Sequence, residues 1–320
     1  MRRAFLAFVA LLLLGVAIML IPWFGWGNVS GPAQSFEVKR GASLSGVARD
    51  LETAGLAKSA WQFRVLARVL GDDAPVQAGR YRLRAGTPWR DILATLQKGE
   101  VERFTVTIPE GWPAVLVAER LNAVSGLTGK ASVPAEGSIL PDTYEYQPGE
   151  DRAVLMKRMQ TAMIKTLADL WPKRTARAVV KTPEQAIVLA SIVEKETGKA
   201  SERRMIAGVY SNRLAQGMKL DADPTVIYPI TAGKPLGRRI RQSELRRDTG
   251  YNTYLKPGLP RGPIANPGRD SIMAVLDPDD TQALYFVADG SGGHVFAKTL
   301  AEHNANVARW FALRRQRGEM

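Results

Sequence analysis

The sequence predicts an α+β protein that carries a transmembrane helix near its amino terminus. Three observations support this: an uncharged apolar run, a strand–glycine–helix pattern that occurs three times, and helices mixed with short strands in the second half. The expected parts are a cytoplasmic stub and anchor at 1–27, a linker at 28–34, a repeat region at 35–122, a connector at 123–150 and a mixed α/β domain with a basic tail at 151–320.

The run of residues 4–26 contains no charged residue and is rich in Leu, Ile and Val. About 20 apolar residues cross a bilayer, whereas the apolar part of a cleaved signal peptide has about 7–15. The run therefore predicts a retained single-pass anchor in the cell (inner) membrane, with Trp23 and Trp26 at its interface. Because Arg2 and Arg3 precede the run, the positive-inside rule places the amino terminus in the cytoplasm and most of the chain in the periplasm or outside the cell.

The composition restricts the chemistry. The chain has no Cys and two His, which excludes a thiol nucleophile, an iron–sulfur cluster, a disulfide, a Cys-ligated zinc and a three-His metal site. We expect no cofactor and no metal. The net charge of +13 is consistent with a solvated basic surface, or with attraction to lipid headgroups or wall-polymer carboxylates. Export of the basic region argues against nucleic acid as a partner.

Three segments within residues 35–122 align on Gly41, Gly86 and Gly111. An apolar residue lies three positions before each glycine, and apolar residues recur six, seven and ten positions after it, which is one face of a helix. The unit is thus predicted to be a short strand, a glycine turn and an amphipathic helix. Ser43 and Thr87 fall where they can cap the helices.

The first copy, FEVKRGASLSGVARDL, resembles the LysM glycan-binding module, and the second copy resembles it more weakly. This resemblance implies affinity for N-acetylglucosamine polymers. The alternative is a βα packing element without a sugar site, because the motif is short and degenerate.

The segment KTPEQAIVLASIVEKETGKA predicts a helix over residues 183–197. Thr182 fits the N-cap, Pro183 the first helical position and Gly198 the end of the helix. The apolar stripe of this helix consists of Val188, Leu189, Ile192 and Val193. Glu196 lies in the middle of that stripe.

A carboxyl on an apolar face is exposed by fraying, paired with a cation, or kept partly protonated by desolvation. The last state gives a general acid that is usable near neutral pH. The structural alternative is that Glu196 reaches water or pairs with Arg203 or Arg204. Periodicity alone favours this alternative.

Further periodic segments predict the other elements of the second half. Helices are expected at residues 153–171, 202–216, 271–276 and 300–314, and short strands at residues 285–288 and 294–297.

Several long segments resemble the YceG-like family of endolytic murein transglycosylases. They are LASIVEKET, LPDTYEY (140–146), DADPTVIYPI (221–230), YNTYLKPGLPRGPIANPG (251–268) and LYFVADGSGGHVFAKTLAEHN (284–304). They follow the family's order, and the resemblance covers nearly the whole exported chain. In this family the catalytic glutamate is the second Glu of EKET, which implies Glu196 and agrees with its position on the apolar stripe.

The resemblance implies cleavage of the β-1,4 bond between N-acetylmuramic acid and N-acetylglucosamine in nascent peptidoglycan, which limits glycan strand length. Glu196 would protonate the glycosidic oxygen and then take the proton from the muramic 6-hydroxyl. That hydroxyl would attack C1 and leave a 1,6-anhydro end. One carboxyl in two protonation states would serve both steps, unlike the paired carboxylates of ordinary glycosidases.

Polar and aromatic residues of the shared segments are expected to bind the glycan. Asp223 precedes a proline and is expected to be extended in a turn, where it binds a sugar hydroxyl or caps a helix. Asn252 and Tyr254 precede a proline-rich loop suited to a glycan groove, or are ordinary turn residues. His294 follows glycines that hairpin geometry also explains. The expected contacts are Asp142, Tyr144, Asp223, Thr225, Tyr228, Asn252, Tyr254 and His294.

Two other functions compete with this one. A Ser–His–Asp hydrolase is disfavoured, because no G-x-S-x-G elbow occurs. A non-catalytic peptidoglycan-binding scaffold of the wall-synthesis or division machinery would use the anchor, the repeat and the basic surface equally well. The expected partners are peptidoglycan strands, the bilayer through residues 4–26, and cell-wall synthases.

Overall fold

The structure, a computed structural model, describes residues 2–26 and 30–319, without the side chain of Ala4. The predicted α+β class is confirmed. The first elements are α1 (Arg2–Phe24), β1 (Ala33–Val38), α2 (Leu44–Thr53), α3 (Ala60–Leu70), β2 (Gly79–Arg84) and α4 (Trp89–Lys98). The later elements are β3 (Phe104–Thr107), α5 (Ala114–Ala123), β4 (Thr143–Tyr146), α6 (Arg152–Leu170), α7 (Pro183–Glu196), α8 (Arg203–Ala215), α9 (Asp223–Thr231), α10 (Gln242–Leu245), α11 (Arg269–Leu276), β5 (Tyr285–Ala288), β6 (His294–Ala297) and α12 (Leu300–Gln316).

The chain divides into two compact units, Met1–Arg103 and Phe104–Met320. The first two copies of the repeat lie in the first unit. The third copy and residues 123–150 lie in the second, although the sequence grouped residues 35–122 together and treated residues 123–150 as a connector.

All three copies of the repeat form the predicted strand, turn and helix. Gly41, Gly86 and Gly111 have φ values of 75°, 86° and 71°, a backbone conformation that glycine adopts without a Cβ clash. The apolar positions of α2, α4 and α5 that the spacing identified are buried. Ser43 caps α2 as predicted, but Thr87 does not cap α4, because Pro88 occupies the N-cap.

In the first unit, β1 and β2 pair antiparallel, with Phe36 opposite Tyr81. Both residues are buried against α2, α3 and α4. α3 lies outside the repeat alignment and was not predicted. β1 begins at Ala33, inside the segment 28–34 that the sequence predicts as a linker, and residues 28 and 29 of that segment lie outside the described residues.

Among the described residues, one helix is long and apolar enough to cross a membrane. It is the Phe5–Phe24 part of α1. Its length and composition agree with the span that the sequence predicts.

In the second unit, β3 pairs antiparallel with β4, which places Val106 opposite Tyr144. The LPDTYEY segment therefore supplies the partner strand of the third repeat copy. The hairpin of β5 and β6 forms at the predicted residues, with Phe286 opposite Phe296.

The centre of the second unit is α7, whose residues from Ala186 to Val193 are all buried. α8, α9 and α11 pack against it. The helices predicted from periodicity are present with ends that differ by one or two residues. α9 was not predicted, and it places Asp223 in a helix rather than in an extended turn.

Candidate active site

Glu196 is the last residue of α7, and the chain leaves the helix in extended geometry at Thr197. Its stripe neighbours Leu189, Ile192 and Val193 are fully buried. Glu196 as a residue is half-buried, but its Oε1 is enclosed and has no hydrogen-bond partner among the described residues. An enclosed, unpartnered carboxyl oxygen favours the protonated form.

The groups around this carboxyl come from α8 and α9. Burial raises the pKa of Glu196 to about 7, and hydrogen bonding with the Tyr210 hydroxyl is the main opposing effect. The negative charge of Asp223 raises this pKa as well, while the positive charge of Arg213 lowers it. Desolvation therefore outweighs the stabilising neighbours, and the carboxyl can hold or release a proton near neutral pH.

The alternative in which Glu196 pairs with Arg203 or Arg204 is wrong. The guanidinium of Arg203 contacts Glu194 Oε1 at 3.3 Å and Glu110 Oε2 at 2.8 Å. The guanidinium of Arg204 contacts Asp277 Oδ2 at 2.9 Å and Asp279 Oδ1 at 3.0 Å. Glu194 and Glu196 lie on different faces of α7, so Arg203 pairs with Glu194 and neither of these two cations pairs with Glu196.

Two polar side chains of α7 hold the loop of residues 251–268. Ser191 Oγ accepts a hydrogen bond from the Ile264 N–H at 3.1 Å, and Glu194 Oε2 accepts one from the Gly268 N–H at 2.8 Å. The proline-rich loop is thereby fixed to the helix that carries Glu196.

Asp223 and Tyr254 are brought together beside Glu196. The Tyr254 hydroxyl donates to Asp223 Oδ1 at 2.6 Å, and both residues interact electrostatically with Glu196. Asp223 does not cap its helix, since the N-cap of α9 is Ala222.

Asn252 and Thr225 make hydrogen bonds that hold the start of the proline-rich loop and the first turn of α9 in place. Asn252 Nδ2 donates to the carbonyls of Leu245 and Arg247 at 2.9 Å and 3.0 Å, and its Oδ1 accepts from the Tyr254 N–H. Thr225 is fully buried, and its hydroxyl bonds the Ala222 carbonyl and the Thr253 hydroxyl. These bonds place Asp223 and Tyr254.

The other four residues that were expected to contact the glycan interact with groups other than Glu196. Asp142 Oδ1 accepts from the next backbone N–H, and the Tyr144 hydroxyl donates to the Leu140 carbonyl. Tyr228 packs on the ring of Tyr251 at 4.8 Å. His294 Nδ1 lies 2.8 Å from Glu202 Oε2.

The sequence interpretation missed Tyr210, Arg213, Glu136 and Asn266. Tyr210 and Arg213 are three apart on the buried face of α8, a pattern that could have identified them. Asn266 is fully buried, and its side chain bonds three groups: the Ile139 N–H, the Trp112 carbonyl and Glu136 Oε1. No local periodicity identifies a residue of this kind in a loop.

Glu136 is a second carboxyl with a raised pKa. Burial raises the pKa of Glu136 to about 7, although hydrogen bonds from the Ala114 N–H and the Tyr228 hydroxyl oppose this effect. Its Oε1 lies 2.9 Å from the Ala114 nitrogen, at the first turn of α5. Glu136 thus joins the third repeat copy to Asn266 of the proline-rich loop.

Comparison with known proteins identifies similar chains. The model of the YceG-like family matches residues 36–309. A protein of Bacillus subtilis (strain 168), named endolytic murein transglycosylase, is 29% identical over 318 residues, which cover 88% of this chain and 86% of that protein. A protein of the same name from Streptococcus pneumoniae serotype 2 is also 29% identical and aligns over 85% of this chain, but over 57% of its own length.

A solved structure is also similar. The crystal structure of a yceG-like protein, lmo1499, from Listeria monocytogenes aligns with a TM-score of 0.53 and 27% sequence identity. The alignment covers 87% of this chain and 99% of the Listeria chain.

Proposed function

This chain belongs to the YceG-like family, and we propose that it is a membrane-anchored endolytic murein transglycosylase with Glu196 as its catalytic acid and base. The observation that carries the proposal is the enclosed Glu196 carboxyl, whose pKa burial raises to about 7. The relatives from Bacillus and Streptococcus, which carry that activity in their names, support the substrate class.

The proposed reaction uses one carboxyl twice. Protonated Glu196 donates its proton to the oxygen of the bond between N-acetylmuramic acid and N-acetylglucosamine, and the bond from that oxygen to C1 breaks. The resulting carboxylate then accepts the proton of the muramic 6-hydroxyl. The oxygen of that hydroxyl bonds to C1 at the same time, which leaves a 1,6-anhydro end. The proton count balances and no water is consumed. Cleavage within nascent strands would limit their length.

The distinguishing experiment is product analysis in water enriched in heavy oxygen. Purified full-length protein is incubated with peptidoglycan strands, and the new ends are identified by mass spectrometry. Transglycosylation gives anhydro ends without heavy oxygen, whereas hydrolysis gives reducing ends that contain it. Reducing ends alone would overturn the proposed reaction while leaving glycan cleavage in place.

The activity is expected to fall as the pH rises through about 7, because the first step needs the protonated form of Glu196. Tyr210→Phe removes the hydrogen bond that lowers this pKa, so the alkaline fall is expected to move to higher pH. The measurement is the pH dependence of kcat/KM, with Tyr146→Phe as the matched control. An unchanged midpoint in Tyr210→Phe would contradict the placement of the hydroxyl against the carboxyl.

We propose that residues 4–26 anchor the chain as a single span with Arg2 and Arg3 in the cytoplasm. The apolar part of α1, Phe5–Phe24, supports this. Full-length protein is expected to stay with membranes after an alkaline wash. A variant whose anchor is replaced by a cleavable signal peptide should be released by that wash, and retention of that variant after the wash would contradict the anchor.

The LysM resemblance of the first repeat copy adds glycan affinity to the proposal. Glu196 distinguishes the transglycosylase from the scaffold alternative. A non-catalytic scaffold needs no carboxyl on the apolar stripe of α7. Binding to purified sacculi without any new ends would support the scaffold.

A further inference from the structure

The carboxyl-terminal end of α1 is part of the core of the first unit. Trp23 is 4% exposed and packs with Phe63 and Trp89 in one apolar cluster, while Met19 and Phe24 pack at its edge. Gln62 Nε2 of α3 donates a hydrogen bond to the Met19 carbonyl at 2.8 Å. The last turns of the apolar helix are therefore attached to the folded unit rather than separated from it by a flexible link.

This attachment leaves a short apolar length for the bilayer. The apolar stretch is bounded by the charges of Arg2 and Arg3 at one end and by the contact at Met19 at the other. At about 1.5 Å per residue, Phe5 to Ile18 spans about 21 Å, against a hydrocarbon thickness of about 30 Å. The shortfall of about 9 Å draws the surface of the first unit beside Met19 against the bilayer.

α3 presents a suitable face at that position. Trp61 and Val69 are 60% and 72% exposed. At 100° per residue, Val69 lies about 20° from Gln62, the residue that contacts α1, and Trp61 lies about 100° from Gln62 and about 80° from Val69. The helix AWQFRVLARVL contains Arg64 and Arg68 and no acidic residue. Trp at the interface and Arg with an apolar stem both suit the headgroup level of a bilayer.

We propose that α3 is a second membrane contact, which lies along the outer surface of the bilayer that α1 crosses, with Trp61 and Val69 in the acyl–headgroup boundary. The occupant of this face is lipid. The continuity of α3 with the span through Gln62 and Trp23 distinguishes it from an ordinary exposed helix. The inference rests on the proposed anchor, and it fixes the first unit against the membrane surface.

The absence of Cys from the chain makes the test direct. Single-cysteine variants Trp61→Cys and Val69→Cys of the full-length protein are labelled with an environment-sensitive fluorophore and reconstituted in phosphatidylcholine–phosphatidylglycerol vesicles that contain a spin-labelled lipid quencher. Leu12→Cys reports on the span, and Glu52→Cys, at an exposed acid of α2, is the matched control. Blue-shifted and quenched emission is expected at residues 61, 69 and 12, with emission like that in water at residue 52.

Each other outcome overturns the contact. Quenching at residue 12 with unquenched emission like that in water at residues 61 and 69 rejects the α3 contact and leaves the anchor in place. Blue-shifted emission at 61 and 69 without quenching assigns the face to a protein neighbour or a second copy. Loss of quenching at all three positions rejects the anchor as well. Activity on soluble glycan strands tests the proposed reaction separately.

Discussion

Glu196→Gln is expected to lower the rate of anhydro-end formation by at least about 10³-fold, since a general acid or base contributes about 10²–10⁴ and this carboxyl would serve as both. Glutamine keeps the size of the side chain but can neither donate nor accept the proton. It also fits the site without the cost of ionising a buried group, so the fold is expected to be retained. The measurement is the rate of anhydro ends from defined strands by mass spectrometry.

Glu184→Gln is the matched control, because Glu184 is in the first turn of the same helix. It is expected to keep the parent rate. Both variants are compared by circular dichroism and thermal unfolding, so that loss of fold is separated from loss of chemistry. Parent-rate formation of anhydro ends by Glu196→Gln would show that another group supplies the proton.

Asn266→Ala is expected to reduce the free energy of unfolding of the second unit by about 1–3 kcal/mol, because the buried Ile139 N–H would lose its partner. Its side chain accepts from the Ile139 N–H at 3.0 Å and donates to the Trp112 carbonyl at 2.9 Å and to Glu136 Oε1 at 3.2 Å. Alanine leaves the buried Ile139 N–H without a partner, whereas the Trp112 carbonyl keeps the backbone N–H of residue 266 and Glu136 Oε1 keeps the Ala114 N–H. Because Asn266 holds the loop that carries Tyr254, activity is expected to fall as well.

The measurement is denaturant unfolding of the full chain in a mild detergent. The control is Asn304→Ala, an exposed asparagine of α12, for which a change within about 0.5 kcal/mol is expected. If the free energy of unfolding of Asn266→Ala also changed by no more than about 0.5 kcal/mol, water or a relaxed loop would have to satisfy the Ile139 N–H.

The elements that the sequence predicted well are those whose residues carry a local period. α7 begins at Pro183 after the Thr182 cap, and the hairpin strands of the second unit form at the predicted residues. Of the elements that it missed, α3 does carry such a period, with Ser59 as its N-cap and Phe63, Leu66 and Ala67 on its buried face, whereas α9 does not. α9 begins at an Asp–Pro pair that indicated an extended turn, but a proline in the first turn of a helix costs no hydrogen bond.

The site shows the same division. Of the eight expected glycan contacts, Asp223 and Tyr254 lie in the electrostatic environment of Glu196, and Asn252 and Thr225 hold them there. Their roles in binding glycan stay predictions. Burial raises the pKa of Glu196 and Tyr210 is the main group that lowers it, although the sequence interpretation gave Tyr210 no role.

By itself, the sequence determined the apolar span, the helical stripe that contains Glu196 and the repeated strand–glycine–helix unit, because each depends on spacings of a few residues along one chain segment. Only the tertiary structure decided that Arg203 binds Glu194 and leaves Glu196 enclosed, and that Tyr254 reaches Asp223. Those pairs join residues of different elements, and their distances follow from how helices and loops pack, which no local period encodes.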